Sequence, residues 1–120
     1  MRRVLSTAAA LLCVLALGTA CGDDDDPGGS TEVTTIEVTV DGDSVTPAGD
    51  RIEVEVGQPV DLVVSADGPG EIHVHSEPEQ EFEYTGGGAP ETFELQIDRP
   101  GVVEIESHTL EALIVSLEVK

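Results

Sequence analysis

Cysteine is nearly absent from this sequence, and both cysteines lie close to its beginning. They are Cys13 and Cys21, and no cysteine occurs from residue 22 to residue 120. The body of the chain therefore cannot carry the disulfide framework that many small exported domains use. It also offers no thiolate to a metal ion, and the single methionine is Met1.

Aromatic residues are scarce as well, with two phenylalanines, one tyrosine and no tryptophan. A folded core must therefore be built from valine, isoleucine and leucine, whose side chains are common in strands. A length of 120 residues leaves room for one domain.

Basic side chains are few, since 5 Lys and Arg residues stand against 25 Asp and Glu residues, for a formal net charge of −20. Arg2 and Arg3 lie at the very start, which leaves Arg51, Arg99 and Lys120 for the rest of the chain. A surface this acidic repels phosphate groups, so we expect no nucleic-acid partner.

The N-terminal segment has the organisation of a secretory signal. Residues 1–3 are MRR, residues 4–17 are mostly leucine, alanine and valine, and residues 18–20 are small. This order is typical of a signal peptide, and the apolar run is shorter than the ~20 residues that a transmembrane helix needs. We therefore predict that residues 1–20 form a signal peptide and that the protein is exported.

Cys21 follows this segment directly, and the sequence LGTAC at residues 17–21 resembles the bacterial lipobox. The resemblance implies diacylglycerol on the Cys21 sulfur, cleavage before Cys21, and an acyl chain such as palmitate on the new amino group. Two or more acyl chains anchor a protein stably. This interpretation places a lipoprotein on the extracytoplasmic face of the cell membrane. The alternative is an ordinary signal peptide followed by an unmodified cysteine.

Residues 21–31 read CGDDDDPGGST, which combines four adjacent aspartates with proline and glycine. Like charges repel one another, and proline and glycine interrupt regular structure. We predict a flexible acidic tether over residues 21–31 and a folded domain over residues 32–120.

From residue 32 onward, branched aliphatic residues recur at every second position, which is the pattern of strands with one buried face. Gly, Pro and Asp clusters separate these runs. The predicted strands lie at residues 36–40, 52–56, 60–65, 71–76, 81–84, 93–97, 102–106 and 113–119. About eight short strands favour an all-β, Greek-key antiparallel sandwich, which we expect to be a monomer.

Three segments of this domain resemble the cupredoxin family. They are RIEVEVGQPVDL at residues 51–62, EIH at 71–73 and DRPGVVEI at 98–105. The HVH sequence at residues 73–75 is similar to that of cysteine-free, cupredoxin-like lipoproteins of the actinobacterial type. The resemblance implies a cupredoxin-like sandwich, and it places His73 and His108 in the regions where the family holds copper.

The domain contains three histidines, His73, His75 and His108. His73 and His75 are two residues apart on a predicted strand, so both point to one face, about 7 Å apart. Neutral imidazoles suit Cu(II), Zn(II) and Ni(II). All three histidines are therefore candidate metal ligands, and copper is the candidate metal. The carboxylates that could add an oxygen are Glu71, Glu77 and Glu106.

The sequence departs from the cupredoxin pattern at the position of the ligand cysteine. Counted from Gly101, this position falls near Glu106 or Ser107, neither of which supplies a thiolate. A blue-copper centre needs a thiolate, two imidazoles and a weak axial ligand, usually methionine. We therefore expect that the domain is not a blue-copper electron carrier.

Other functions stay open at this point. Ile72 and Val74 would face the core, which leaves His73 and His75 on a solvated face that needs no metal. The domain would then be a metal-free module that presents a sheet face or an acidic edge to a protein of the cell envelope. We expect no enzyme, because the sequence has no nucleophile elbow and no phosphate-binding loop.

Overall fold

The structure is a computed structural model that describes residues 31–120. The predicted signal peptide, the lipidation site Cys21 and the tether up to residue 30 lie outside the described residues. Among residues 31–120 no helix is long and apolar enough to cross a membrane.

The described chain folds into nine strands. They are β1 (Thr34–Asp41), β2 (Ser44–Thr46), β3 (Asp50–Val54), β4 (Pro59–Ala66), β5 (Gly70–Val74), β6 (Gln80–Tyr84), β7 (Glu91–Gln96), β8 (Gly101–Ser107) and β9 (Ala112–Val119). The strands form a four-stranded sheet in the order β2-β1-β4-β7 and a five-stranded sheet in the order β3-β9-β8-β5-β6. The predicted all-β sandwich is confirmed.

The sheets differ from the prediction in two details. Nine strands are present where about eight were predicted, and the additional one is β2, a three-residue strand without apolar alternation. The sheets are mixed rather than wholly antiparallel, because β1 pairs with β4 and β3 pairs with β9 in parallel. The chain crosses to the other sheet between these partners, so they run in the same direction. Alternation reports which face of a strand is buried and does not report the direction of its neighbour.

The core lies between the two sheets and is almost entirely aliphatic. Val60, Leu62 and Val64 on the interior strand β4 are fully buried, and so are Ile72 and Val74 on β5. This explains why the fold needs so few aromatic residues: interdigitated branched aliphatics fill the space between two pleated faces.

The predicted alternation of β9 fails at its beginning. A bulge between Ile105 and Glu106 shifts the register of β8 against β9. As a result, Ile114 and Val115 are both fully buried, and Leu113 is only half-buried. A bulge places one extra residue in a strand, which moves the following side chains to the other face. The bulge at Ile105 and Glu106 lies next to the loop that carries His108.

Candidate metal centre

The outward face of β5 presents the first part of the site. Ile72 and Val74 have no exposed surface, so the alternate residues Glu71 and His73 point away from the core. The outward orientation predicted for His73 is therefore correct, and His75, directly after β5, is also exposed. Glu81 on β6 and Glu106 on β8 stand directly opposite His73 in the sheet.

The loop between β8 and β9 brings His108 to the same face, and hydrogen bonds to β5 hold it there. The His108 amide donates to the Glu71 carbonyl oxygen at 2.9 Å. The Glu71 amide donates to the Thr109 hydroxyl at 3.2 Å. Within the loop, the Leu110 amide donates to the buried Ser107 hydroxyl at 3.3 Å. The start of β5 and the loop therefore form one unit.

Gly70 makes this close approach possible. A Cβ atom at Gly70 would lie 2.2 Å from the hydroxyl oxygen of Tyr84 and 2.9 Å from the hydroxyl oxygen of Thr109. Any side chain there would force Tyr84 or the loop to move. Glycine is thus required by the packing that sets the position of His108 relative to β5.

The loop and β5 together create a three-residue cluster. Glu71, His73 and His108 each offer one ligand atom, and these atoms lie within 4.8 Å of one another. The His73 and His108 rings stack, with centroids 4.6 Å apart and planes inclined by 15°. One carboxylate and two imidazoles suit Cu(II) or Zn(II). Since residues 31–120 contain neither cysteine nor methionine, the thiolate and thioether of a blue-copper site are absent from this set.

His73 is surrounded by carboxylates. Its Nε2 atom lies 2.5 Å from Glu71 Oε1 and 3.2 Å from Glu81 Oε1, and its Nδ1 atom lies 3.3 Å from Glu79 Oε1. The hydrogen bond with Glu71 raises the pKa of His73 above 6.5, partial burial opposes this rise, and the negative charges of Glu81, Glu71 and Glu79 add to it.

Both ring nitrogens of His73 face a carboxylate, Nε2 towards Glu71 and Nδ1 towards Glu79. A metal ion at Nε2 would take the place of the proton shared with Glu71, while Nδ1–H continues to donate to Glu79. Metal-bound histidines commonly donate their other ring N–H to a carboxylate in this way, which fixes the tautomer and the ring orientation.

His75 lies beside the cluster rather than in it. Its ring centroid is 6.1 Å from that of His73, and its Nε2 atom is 2.9 Å from Glu106 Oε2. Of the three histidines singled out in the sequence, the structure thus brings His73 and His108 together and directs His75 towards Glu106. Glu77 is not part of the cluster and pairs with Arg99 at 3.1 Å.

The basic side chains of residues 31–120 are paired elsewhere. Arg51 contacts Glu118 at 3.2 Å, Arg99 contacts Glu77, and Lys120 contacts Glu53. The carboxylates around the histidines therefore contact histidine rings rather than lysine or arginine side chains. A negative face of this kind attracts cations.

Sequence reasoning did not identify Glu79 and Glu81 as neighbours of His73. They alternate with Glu77 and Glu83, a pattern typical of a solvated edge strand, and β6 is at the edge of its sheet. The missing information was the hairpin register, which sets His73 opposite Glu81. A register count from the turn between the two strands was the one available signal.

The sequence matches no family model, and no curated protein matches it. Solved structures do match its fold. The metal binding domain of the Cu(I)-exporting P-type ATPase CopA from Streptococcus pneumoniae D39, solved with Cu(I), is 17% identical over 77% of this chain and 99% of that chain, with a TM-score of 0.53.

Two further solved structures are similar in fold to this chain. A purple cupredoxin from Nitrosopumilus maritimus is 19% identical over 72% of this chain and 99% of that one, with a TM-score of 0.50. Auracyanin from Roseiflexus castenholzii is 15% identical over 78% and 99%, with a TM-score of 0.51. At these identities the likeness concerns the fold alone: residues 31–120 form a cupredoxin-like β-sandwich.

Proposed function

We propose that this protein is a lipid-anchored, extracytoplasmic lipoprotein whose cupredoxin-like domain binds a divalent metal ion, Cu(II) in particular, through Glu71, His73 and His108. The observation that carries the proposal is the convergence of the three ligand atoms within 4.8 Å. The protein is not proposed to be an enzyme. Its proposed role is the storage, delivery or tolerance of the metal.

The choice of metal rests on the donor set. Imidazole nitrogen and carboxylate oxygen are borderline and hard ligands, which suit Cu(II) and Zn(II), whereas Cu(I) prefers thiolate and thioether sulfur. Copper is favoured over zinc by the fold neighbours, one of which is a metal binding domain solved with Cu(I). The lack of a sulfur ligand from residue 22 onward also argues against a blue-copper electron carrier.

Metal titration tests the proposal. In the full chain, Cys13→Ser and Cys21→Ser remove both thiols, so that only the domain and the acidic surface can bind. Cu(II), Zn(II) and Cu(I) are added separately in excess Mg²⁺, and the melting temperature is followed. A ligand that binds only the native state at 100 times its dissociation constant stabilises it by about 2.7 kcal/mol.

The variants decide between the site and the general acidity of the surface. His73→Ala and His108→Ala should each remove most of the Cu(II) shift, and Glu71→Gln should reduce it. Glu37→Gln is the matched control, because Glu37 is an exposed carboxylate on the other sheet. The metal site is refuted if Cu(II) gives no shift, or if the histidine variants keep the full shift.

The lipid anchor needs its own experiment. The chain is produced in a bacterium that processes lipoproteins, and the mature N-terminus is examined by mass spectrometry. We expect an acylated N-terminal Cys21, with the protein in the membrane fraction, and a soluble exported product for Cys21→Ser. An unmodified Cys21 in the mature protein would remove the anchor from the proposal and leave the metal site untouched.

A metal-free interaction module is the second candidate. It is favoured by the contacts of His73, whose two ring nitrogens already have carboxylate partners, Glu71 at 2.5 Å and Glu79 at 3.3 Å. A protonated His73 would hold this face together without an ion. The same titration separates the two candidates, since a metal-free module gains no specific stability from Cu(II) or Zn(II).

A further inference from the structure

A second group of potential ligands lies next to the Glu71–His73–His108 cluster, and the proposed function does not use it. His75 Nε2 is 2.9 Å from Glu106 Oε2. His75 directly follows β5, Glu106 lies on the adjacent strand β8, and the His75 amide donates to the Glu104 carbonyl oxygen of β8 at 2.8 Å. This backbone hydrogen bond holds the imidazole beside β8, where the Glu106 carboxylate meets it.

This pair is open to solvent, as an ion with water ligands requires. The side chains of His75 and Glu106 are 44% and 40% exposed. Glu106 also lines a surface groove together with His108 and Glu111. No basic side chain of residues 31–120 contacts Glu106 or Glu79, because Arg51, Arg99 and Lys120 pair elsewhere.

Glu79 connects the two groups. Its Oε1 atom is 3.3 Å from His73 Nδ1 and 3.6 Å from His75 Nδ1. The carboxylate thus faces the Nδ1 side of both rings, and both Nε2 atoms are directed to another carboxylate, Glu71 for His73 and Glu106 for His75. A carboxylate at one ring nitrogen, with the other nitrogen bound to the ion, is the common arrangement of metal-bound histidine.

We infer that this sheet face binds two divalent ions: the one at Glu71, His73 and His108, and a second held by His75 and Glu106. Glu79 is a positioning residue for both imidazoles. The inference rests on the proposed function for the first ion and adds a separate site with its own ligands. Its donors are one nitrogen and one oxygen, with solvent completing the shell, so it binds Zn(II) or Cu(II) more weakly than the three-residue site.

Zn(II) is the probe, because it is colourless, redox-inert and suited to these donors. The full chain with Cys13→Ser and Cys21→Ser is titrated, and the stoichiometry is counted by native mass spectrometry. Two-dimensional ¹H–¹⁵N spectra record the ring-nitrogen shifts of each histidine as Zn(II) is added. We expect two ions per chain, with the nitrogens of His73 and His108 shifting before those of His75.

Variants assign the ions to their sites. His75→Ala and Glu106→Gln should each leave one bound ion, and His108→Ala should lose the tighter one and keep the weaker. Glu79→Gln should weaken both at least threefold. Glu94→Gln, an exposed carboxylate on β7, should change neither.

The outcomes are distinguishable. One ion per chain that survives His75→Ala refutes the second site and leaves the proposed function standing. One ion that is lost in both His75→Ala and His108→Ala also refutes it, because all three histidines would then share one ion. No specific ion at all refutes both. Two ions with only the first weakened by Glu79→Gln would overturn the role given to Glu79.

Discussion

The imidazole rings of His73 and His108 stack at a centroid distance of 4.6 Å, although one lies in the middle of a strand and the other in a loop. The backbone hydrogen bond from His108 to Glu71 creates this relationship. It turns residues that are distant in sequence into neighbours on one face.

The first prediction concerns the proton on His73. Glu71→Gln removes the charge and weakens the hydrogen bond that is the main cause of the raised pKa of His73. We expect the pKa of His73 to fall towards 6.5, the ordinary value for histidine. An NMR titration of the metal-free protein measures it. Glu37→Gln should leave it unchanged, and an unchanged pKa in Glu71→Gln would contradict the assigned cause.

The second prediction concerns stability and pH in the metal-free protein. Folding raises the pKa of His73, so the native state holds this proton more tightly than the unfolded chain does. The resulting stabilisation is fully present below the unfolded pKa and is lost as pH rises through the folded pKa. Urea unfolding of the wild type and of His73→Gln, at about pH 6 and about pH 9, measures this stabilisation. The difference in unfolding free energy should shrink at the higher pH. A larger difference between the two proteins at the higher pH would contradict the prediction.

The third prediction concerns the aliphatic core. Leu62 on β4 is fully buried, so Leu62→Ala leaves a cavity and should lower the free energy of unfolding by about 2–5 kcal/mol. Val102→Ala is the comparison, since Val102 is 67% exposed and its truncation should change stability by about 0.5 kcal/mol or less. Urea denaturation measures both. Similar losses in the two variants would place the core elsewhere.

The fourth prediction concerns Gly70. Gly70→Ala puts a methyl group 2.2 Å from the Tyr84 hydroxyl oxygen and should cost about 1–3 kcal/mol of stability. Zn(II) should also bind more weakly, because the movement displaces the loop that carries His108. Gly68→Ala is the matched control, as no atom lies within 4 Å of the added methyl group. Equal stability of the two variants would show that the loop yields freely.

The fifth prediction concerns Thr109, whose hydroxyl accepts the hydrogen bond from the Glu71 amide. Thr109→Val keeps the shape and removes the acceptor, which should cost about 0.5–1.5 kcal/mol. If the bond positions the site, Zn(II) affinity should fall by about two- to tenfold. Thr39→Val, an exposed threonine on β1, provides the control. If Thr109→Val binds Zn(II) with the affinity of the wild type, the Thr109 hydroxyl stabilises the fold and does not position the site.

The sequence by itself determined the class of the fold. Two-residue alternation, as in Ile36, Val38 and Val40, places apolar side chains on one face of a strand, and all three are buried. The same rule set Ile72 inward and His73 outward. The absence of cysteine and methionine from the domain limited the ligands of any metal to nitrogen and oxygen. These properties are local, because they depend on residue type and on the period of a single strand.

Only the tertiary structure decided which ligands meet. His75 is nearer to His73 in sequence, yet His108 joins it within 4.8 Å and His75 turns to Glu106. That choice depends on strand register, on the bulge beside Glu106 and on the hydrogen bonds of the β8–β9 loop. Each of these relates segments that are far apart in the chain, and pairing between distant strands is set by the packing of the whole sandwich rather than by any one segment.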